Sequence, residues 1–374
     1  MALATTAPTA VTRRPVMPAL TGLRAFTATN IVFFHFWNPK WFGPLSPMMD
    51  NGYVGVNFFF LLSGFILTYN YADRLAAGQF NKATFWRTRV SRLYPVYLLG
   101  LLISYPILEL EWTHRTHSQF FLGLSLTAIM QQGWFPNLAM FWNTPAWTLS
   151  CEVAFYLLFP LLLAVKWPRK VRSLLLILLG LWLASQILPL IYMWVRPDGA
   201  TPINRFTSTY WLRAIKFTPL PHLPSFTFGI VLSRLNDRLK LSNRSRFWLA
   251  FGGIAAISTV MMQGQKVPFL LMHNGLISPL FAVAILGLAG RHAITRVLAF
   301  PLFVAVGEAS YCLYIMHFNL WRWLHVSGIL VKLHLMRFDP WISYFILEVT
   351  AYLAYRLIER PSRNWLQRVL PAKG

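Results

Sequence analysis

Pro18-Ala19-Leu20-Thr21-Gly22-Leu23-Arg24-Ala25-Phe26-Thr27-Ala28-Thr29-Asn30-Ile31-Val32-Phe33-Phe34-His35-Phe36-Trp37 is an apolar run of membrane-spanning length that carries an arginine and a histidine. Ionisable groups are costly in hydrocarbon, so a span that keeps two is expected to use them. At about 1.5 Å of rise per residue, eleven positions put the imidazole roughly 16 Å along the axis from the guanidinium. That is about half of a hydrocarbon core of about 30 Å. One helix thus sets a fixed cation at mid-membrane depth and a titratable ring near one face. Arg13 and Arg14 precede the run as in a signal peptide, but Arg24 interrupts it and no small-x-small cleavage pattern follows, so it reads as a retained first span.

The rest of the chain agrees. Of 374 residues, 56% are hydrophobic and 12% charged, with mean hydropathy +0.49. Soluble domains carry about 25% charged residues. The composition therefore predicts an all-α polytopic membrane protein and excludes disulfide-stapled and nucleic-acid-binding classes. The net charge of +23 sits at the ends of apolar runs, where it sets topology and meets anionic headgroups. Cys151 and Cys312 fall within apolar runs and offer neither a metal spacing nor a disulfide framework.

Apolar stretches lie near 18–37, 53–71, 92–110, 120–135, 147–165, 173–194, 221–235, 247–264, 268–290, 297–321 and 341–358. If 120–135 dips in and returns, 23 basic residues fall inside, 10 outside and Arg24 within the membrane, which accounts for all 34. Orientation follows this bias. The expectation is ten transmembrane helices, an outer cap or re-entrant element at 111–146, and cytoplasmic N- and C-termini. Residues 1–17 and 361–374 would be cytoplasmic tails around a membrane domain at 18–360.

Polar groups converge at two levels on this topology. His35, Ser150, Glu152 and His317 gather toward the outer side, where a carboxylate beside an imidazole would orient a general base. On the inner side Arg87, Arg89 and Arg92 precede Tyr94-Pro95 and form a cationic patch suited to phosphate. Ser63-Gly64 permits close helix approach or a kink. Glu308 is expected either to pair with Arg24 or to mark the cytoplasmic boundary. Asn57, Tyr314 and Asn319 are further polar positions that could line a cavity.

Read in order, these segments resemble the acyltransferase-3 family of integral membrane acyltransferases. The resemblance is carried by Leu20 through Ala25 leading to His35-Phe36, Gly55 through Phe65, Arg87 through Tyr94-Pro95, Trp147 through Tyr156, Leu223 through Gly229, Gly307 through Phe318 and Glu359-Arg360-Pro361. It runs from about 17 to 365. Thr148 stands where the family has serine, and Cys151 where it has a small aliphatic residue. The thiol reads as packing.

The resemblance implies an O-acyltransferase of a bacterial inner (plasma) membrane. It would move an acyl group, acetyl first, from cytoplasmic acyl-CoA to a hydroxyl of a carbohydrate or glycolipid at the outer face, with no metal. His35, Arg24 and Glu152 are the expected catalytic residues, with Glu152 orienting His35. Arg87, Arg89, Arg92, Tyr94 and Ser63 would hold the donor. Ser150, Trp147, His317 and Asn57 would hold the acceptor. The rival class is a secondary transporter, which also has broken helices and intramembrane charge.

Overall fold

A computed structural model describes residues 14–36 and 38–369. Residues 1–13 of the expected N-terminal tail, Trp37 and residues 370–374 of the expected C-terminal tail lie outside the described residues. The described chain is helical, without strands. Its principal helices are α1 Pro18–Phe36, α2 Val54–Ala76, α3 Lys82–Ile103, α4 Tyr105–His114, α5 His117–Ala128, α6 Trp147–Ala164 and α7 Val171–Val195. They continue as α8 Tyr210–Phe217, α9 Leu223–Arg238, α10 Asn243–Met262, α11 Phe269–His273, α12 Ser278–Leu288, α13 Pro301–Val326, α14 Trp341–Ala354 and α15 Arg360–Val369.

Six helical segments among the described residues are long and apolar enough to cross a membrane, seven if the bent α3–α4 pair is one span. Several stretches expected as spans give shorter pieces. α9 has 16 residues and α14 has 14, the latter followed by a π turn at Tyr355–Glu359. α1 itself has 19 residues, and its Arg24, Asn30 and His35 lower its hydropathy. The α3–α4 bend is 67°, and Pro106 near the start of α4 supplies its cause, having no N–H to continue the ladder.

Helices meet where side chains are smallest. Gly64 of α2 and Gly229 of α9 face each other reciprocally. A Cβ on Gly64 would fall 2.0 Å from the Phe226 carbonyl oxygen, and one on Gly229 would fall 1.9 Å from that of Leu61. The Ser63-Gly64 pair therefore serves close approach. α1 lies as closely on α13, where a Cβ on Gly307 would fall 1.9 Å from the Thr21 carbonyl oxygen.

Residues 129–146, part of the segment expected as an outer cap or re-entrant element, run without regular α-helix into the bundle. Gln132, Phe141 and Asn143 are fully buried there. Irregular backbone at such depth needs internal partners. Ser150 Oγ accepts from the Gly133 N–H at 2.9 Å, and Asn143 Nδ2 donates to the Ile315 carbonyl at 3.2 Å. Asn319 donates to Ser104 Oγ and, at 3.0 Å, to Asn143 Oδ1.

Candidate active site

A chamber of about 280 Å³ opens beside Arg24. α1 contributes Leu20, Thr21 and Arg24, α2 Ser63, α3 Arg89 and Arg92, α6 Thr148, Glu152 and Tyr156, and α13 Ser310, Tyr311 and Tyr314. Helix phase selects these side chains. Arg89 and Arg92 are three apart and share a face, whereas Arg87, two before Arg89, does not. Arg87 is exposed and stands away from the chamber, so the expected three-arginine patch contributes two. Tyr94 also lies off the chamber and donates to the Ala128 carbonyl at 3.0 Å.

The buried charges hold one another. Arg24 donates to Ser310 Oγ at 2.7 Å. Arg92 stands 3.5 Å from Glu359, which is 2% exposed and also accepts from Cys312 Sγ at 3.3 Å. Glu152 Oε2 accepts from the Tyr156 hydroxyl at 2.8 Å. Arg89 Nε is buried without a hydrogen-bond partner among the described residues, whereas Arg92 Nε is the atom that faces Glu359 at 3.5 Å. Unpaired buried donors are rare in folded proteins and call for a ligand or water.

At the mouth, residues 14–17 pass across the chamber. Arg14 pairs with Asp73 at 2.6 Å and Asp237 at 2.8 Å, and its guanidinium lies 4.9 Å from the centre of the Tyr69 ring. The Tyr69 hydroxyl donates to the Pro15 carbonyl at 3.1 Å.

His35 ends α1 at the other level. Its ring is exposed and lies 5.1 Å, centre to centre, from that of His317. His317 is fully buried. Its Nδ1–H donates to the Tyr314 carbonyl at 2.6 Å, and its Nε2 is left without a partner among the described residues. Arg205 reaches over Phe34, 5.3 Å from the ring centre.

The expected contact between Glu152 and His35 is not formed. Residues 129–146 fold inward, so α6 begins deep in the bundle and Glu152 lies at the level of Arg24 rather than of the imidazole. Glu308 does not pair with Arg24 either. It is exposed and accepts from the Tyr355 hydroxyl at 2.9 Å, as a boundary residue would. Ser150 is fully buried and its hydroxyl holds the 129–146 segment. Trp147 packs 5.4 Å from His222, ring to ring. Asn57 is 2% exposed, off the chamber, with both amide atoms unpartnered among the described residues. Cys151 is fully buried, as packing requires.

Sequence reading gave no role to Tyr156, Ser310, Glu359 or Arg14. Ser310 and Glu359 lie inside segments that carried the resemblance, so their positions were visible and their partners were not.

The described residues form a helical bundle around this chamber. The chain belongs to the acyltransferase-3 family, whose acyltransferase domain matches residues 17–355, and it is an acyltransferase. It is similar to acyltransferase MdmB of Streptomyces mycarofaciens, 27% identical over 327 residues that cover 83% of this chain and 80% of that protein. It is also similar to O-acetyltransferase OatA of Staphylococcus aureus (strain NCTC 8325 / PS 47), 24% identical over 371 residues, or 93% of this chain and 57% of OatA. The match thus spans little more than half the length of that second relative. No solved structure matches the chain.

Proposed function

We propose that this acyltransferase takes an acyl group, acetyl first, from cytoplasmic acyl-CoA and passes it to a hydroxyl of a carbohydrate or glycolipid at the outer face of a bacterial plasma membrane. The arrangement proposed with it has ten spans, with residues 18–360 as the membrane domain and cytoplasmic tails at 1–17 and 361–374. Lys/Arg bias supports that orientation. The observation that carries the reading is the chamber itself: Arg24, Arg89 and Arg92 line one space whose wall reaches Tyr314, three residues from the His317 ring that meets His35.

The donor fits this chain's residues. The buried, unpartnered Nε–H of Arg89 can donate to a phosphate oxygen, and Arg92 adds a second guanidinium to the same wall. The pantetheine arm would extend past Arg24, Ser63 and Glu152 toward Tyr314. In the reaction His35 would turn one ring N–H toward the unpartnered His317 Nε2, leaving its other nitrogen to take the proton of the acceptor hydroxyl. The alkoxide oxygen then bonds to the thioester carbonyl carbon, the C–S bond breaks, and the proton passes from His35 to the departing thiolate. Transient acylation of His35 would balance as well, with the acyl group passing to nitrogen before oxygen. Glu152 and Glu359 offset part of the positive charge when no donor is bound.

The test is the purified protein in detergent with radiolabelled acetyl-CoA and a set of sugar acceptors. Labelled ester that is lost in His35→Ala and Arg24→Ala, with both variants folded, supports the reading. Solute accumulation in vesicles without any thioester consumption would point to a carrier instead.

A further inference from the structure

A second cavity, of about 320 Å³, lies against a different face of α1. Leu23, Thr27 and Asn30 of α1 form one wall, and Ile254, Ile257 and Met261 of α10 form the other. Each wall runs seven residues, about 10 Å of helix. No charged side chain lines it. The Thr27 hydroxyl is already spent on the Leu23 carbonyl at 3.0 Å. Asn30 Oδ1, by contrast, is buried and unpartnered among the described residues. With 17% of its span buried, α10 is peripheral, so the cavity stands next to lipid. Gly52, in the connection from α1 to α2, lines the end near Asn30. A Cβ there would fall 2.4 Å from Asn30 Oδ1 and 2.8 Å from Phe34 Cβ. Phe34 in turn lies 4.8 Å from the His35 ring.

α1 is therefore a partition. Arg24 faces a polar chamber at one height, and Leu23, Thr27 and Asn30 face an apolar cavity that rises toward His35. We propose that this second cavity holds the hydrocarbon chain of the acyl acceptor, so that the acceptor is an amphiphile whose hydroxyl-bearing head lies at His35. This rests on the acyl-transfer reading above. A straight aliphatic chain suits an uncharged slot at lipid depth, since its burial there needs no polar partner. Asn30 Oδ1, at the cavity's end nearest His35, is placed to accept from a hydroxyl where chain meets head.

The probe is dodecyl β-glucoside carrying a diazirine at the chain end, added to the full protein in phosphatidylcholine nanodiscs. Irradiation is expected to label peptides spanning Leu23–Asn30 and Ile254–Met261. Excess dodecyl glucoside should compete, and phosphatidylglycerol should not. Ser258→Trp, which fills the cavity from α10, should cut labelling by about tenfold. Ile254→Trp is the second variant should the first not fold. Acetyl transfer should favour dodecyl glucoside over glucose by about tenfold, and the filled variants should lose that preference while still acetylating glucose. Labelling displaced equally by phosphatidylglycerol, or a preference for dodecyl glucoside that survives both folded tryptophan variants, overturns the proposal. Equal use of glucose and dodecyl glucoside by the unaltered protein overturns it too and leaves acyl transfer standing. Failure to consume thioester with any acceptor sinks the acyl-transfer reading itself, and this one with it.

Discussion

The imidazole of His35 lies 5.1 Å from that of His317, ring centre to ring centre. The Tyr314 carbonyl holds His317 Nδ1–H at 2.6 Å, so the neutral ring presents Nε2 as an acceptor. The ring beside His35 is thus a second histidine, and the proposed reaction uses its Nε2 to orient His35. Orientation by a neighbour of this kind is a familiar need of a general base.

The first prediction follows. His317→Gln keeps an acceptor oxygen and should hold kcat within a few fold, whereas His317→Leu should lower kcat by about 10–100-fold, the worth of one oriented proton transfer in part. KM for donor and acceptor should move little in either. Steady-state kinetics with both substrates varied is the measurement. Equal losses in the two variants would show His317 to be packing alone.

Arg89→Ala should raise KM for acyl-CoA by about 10–100-fold, in line with one charge-assisted phosphate contact of about 1.5–3 kcal/mol. Arg87→Ala, which alters an exposed side chain away from the chamber, should change it less than about twofold. Comparing intact acyl-CoA with a short acyl-pantetheine lacking the nucleotide checks the assignment. The Arg89→Ala penalty should vanish for the shorter donor.

Removing Arg92 alone leaves Glu359, 2% exposed, without its cationic partner. Breaking such a buried pair costs about 3–5 kcal/mol. Arg92→Met should therefore lower the melting temperature in detergent by several degrees, and Arg92→Met with Glu359→Gln should recover most of the loss. Thermal unfolding followed by fluorescence reads both. Recovery of stability without recovery of activity would separate Arg92 as scaffold from Arg92 as donor contact.

Lys216 supplies a pH dependence. It is 4% exposed in α8, and burial, followed by repulsion from Arg213, lowers its pKa from 10.5 to about 8. The unfolded chain then binds more protons than the folded one between these values. Stability should rise as pH goes from about 8 to about 10.5, by at most about 1.4 kcal/mol per unit, and the gain should be lost again as pH falls through 8. Melting temperature against pH measures this, and Lys216→Met should remove the slope.

Much of this site was legible in the residues themselves. Arg24 within an apolar span announced a polar chamber, since charge at that depth requires one. The sequence offered Arg87, Arg89 and Arg92 as one patch, although helical phase joins Arg89 to Arg92 and sets Arg87 aside. The level of Glu152 was not legible. Hydropathy places Trp147 at a membrane boundary, while the structure draws residues 129–146 inward through contacts such as Asn319 with Asn143, which lie 176 positions apart in sequence. The partners of Ser310 and Glu359 escaped for the same reason, because a hydrogen bond between distant helices leaves no local pattern. Span number is another case: the bend at α3–α4 divides a run whose average apolarity is continuous.

Gly64 and Gly229 bear on how the bundle can breathe. With each glycine against the other helix's carbonyl, a slide of one position would press Phe65 or Ile230 into a gap that admits a hydrogen atom. α2 and α9 are therefore keyed like two gear teeth and must travel as one body. α10 is keyed to α12 in the same way, a Cβ on Gly287 falling 2.2 Å from the Ala250 nitrogen and one on Gly253 falling 2.7 Å from that of Ala284, so any widening that admits a bulky guest has to come from helices without such a key.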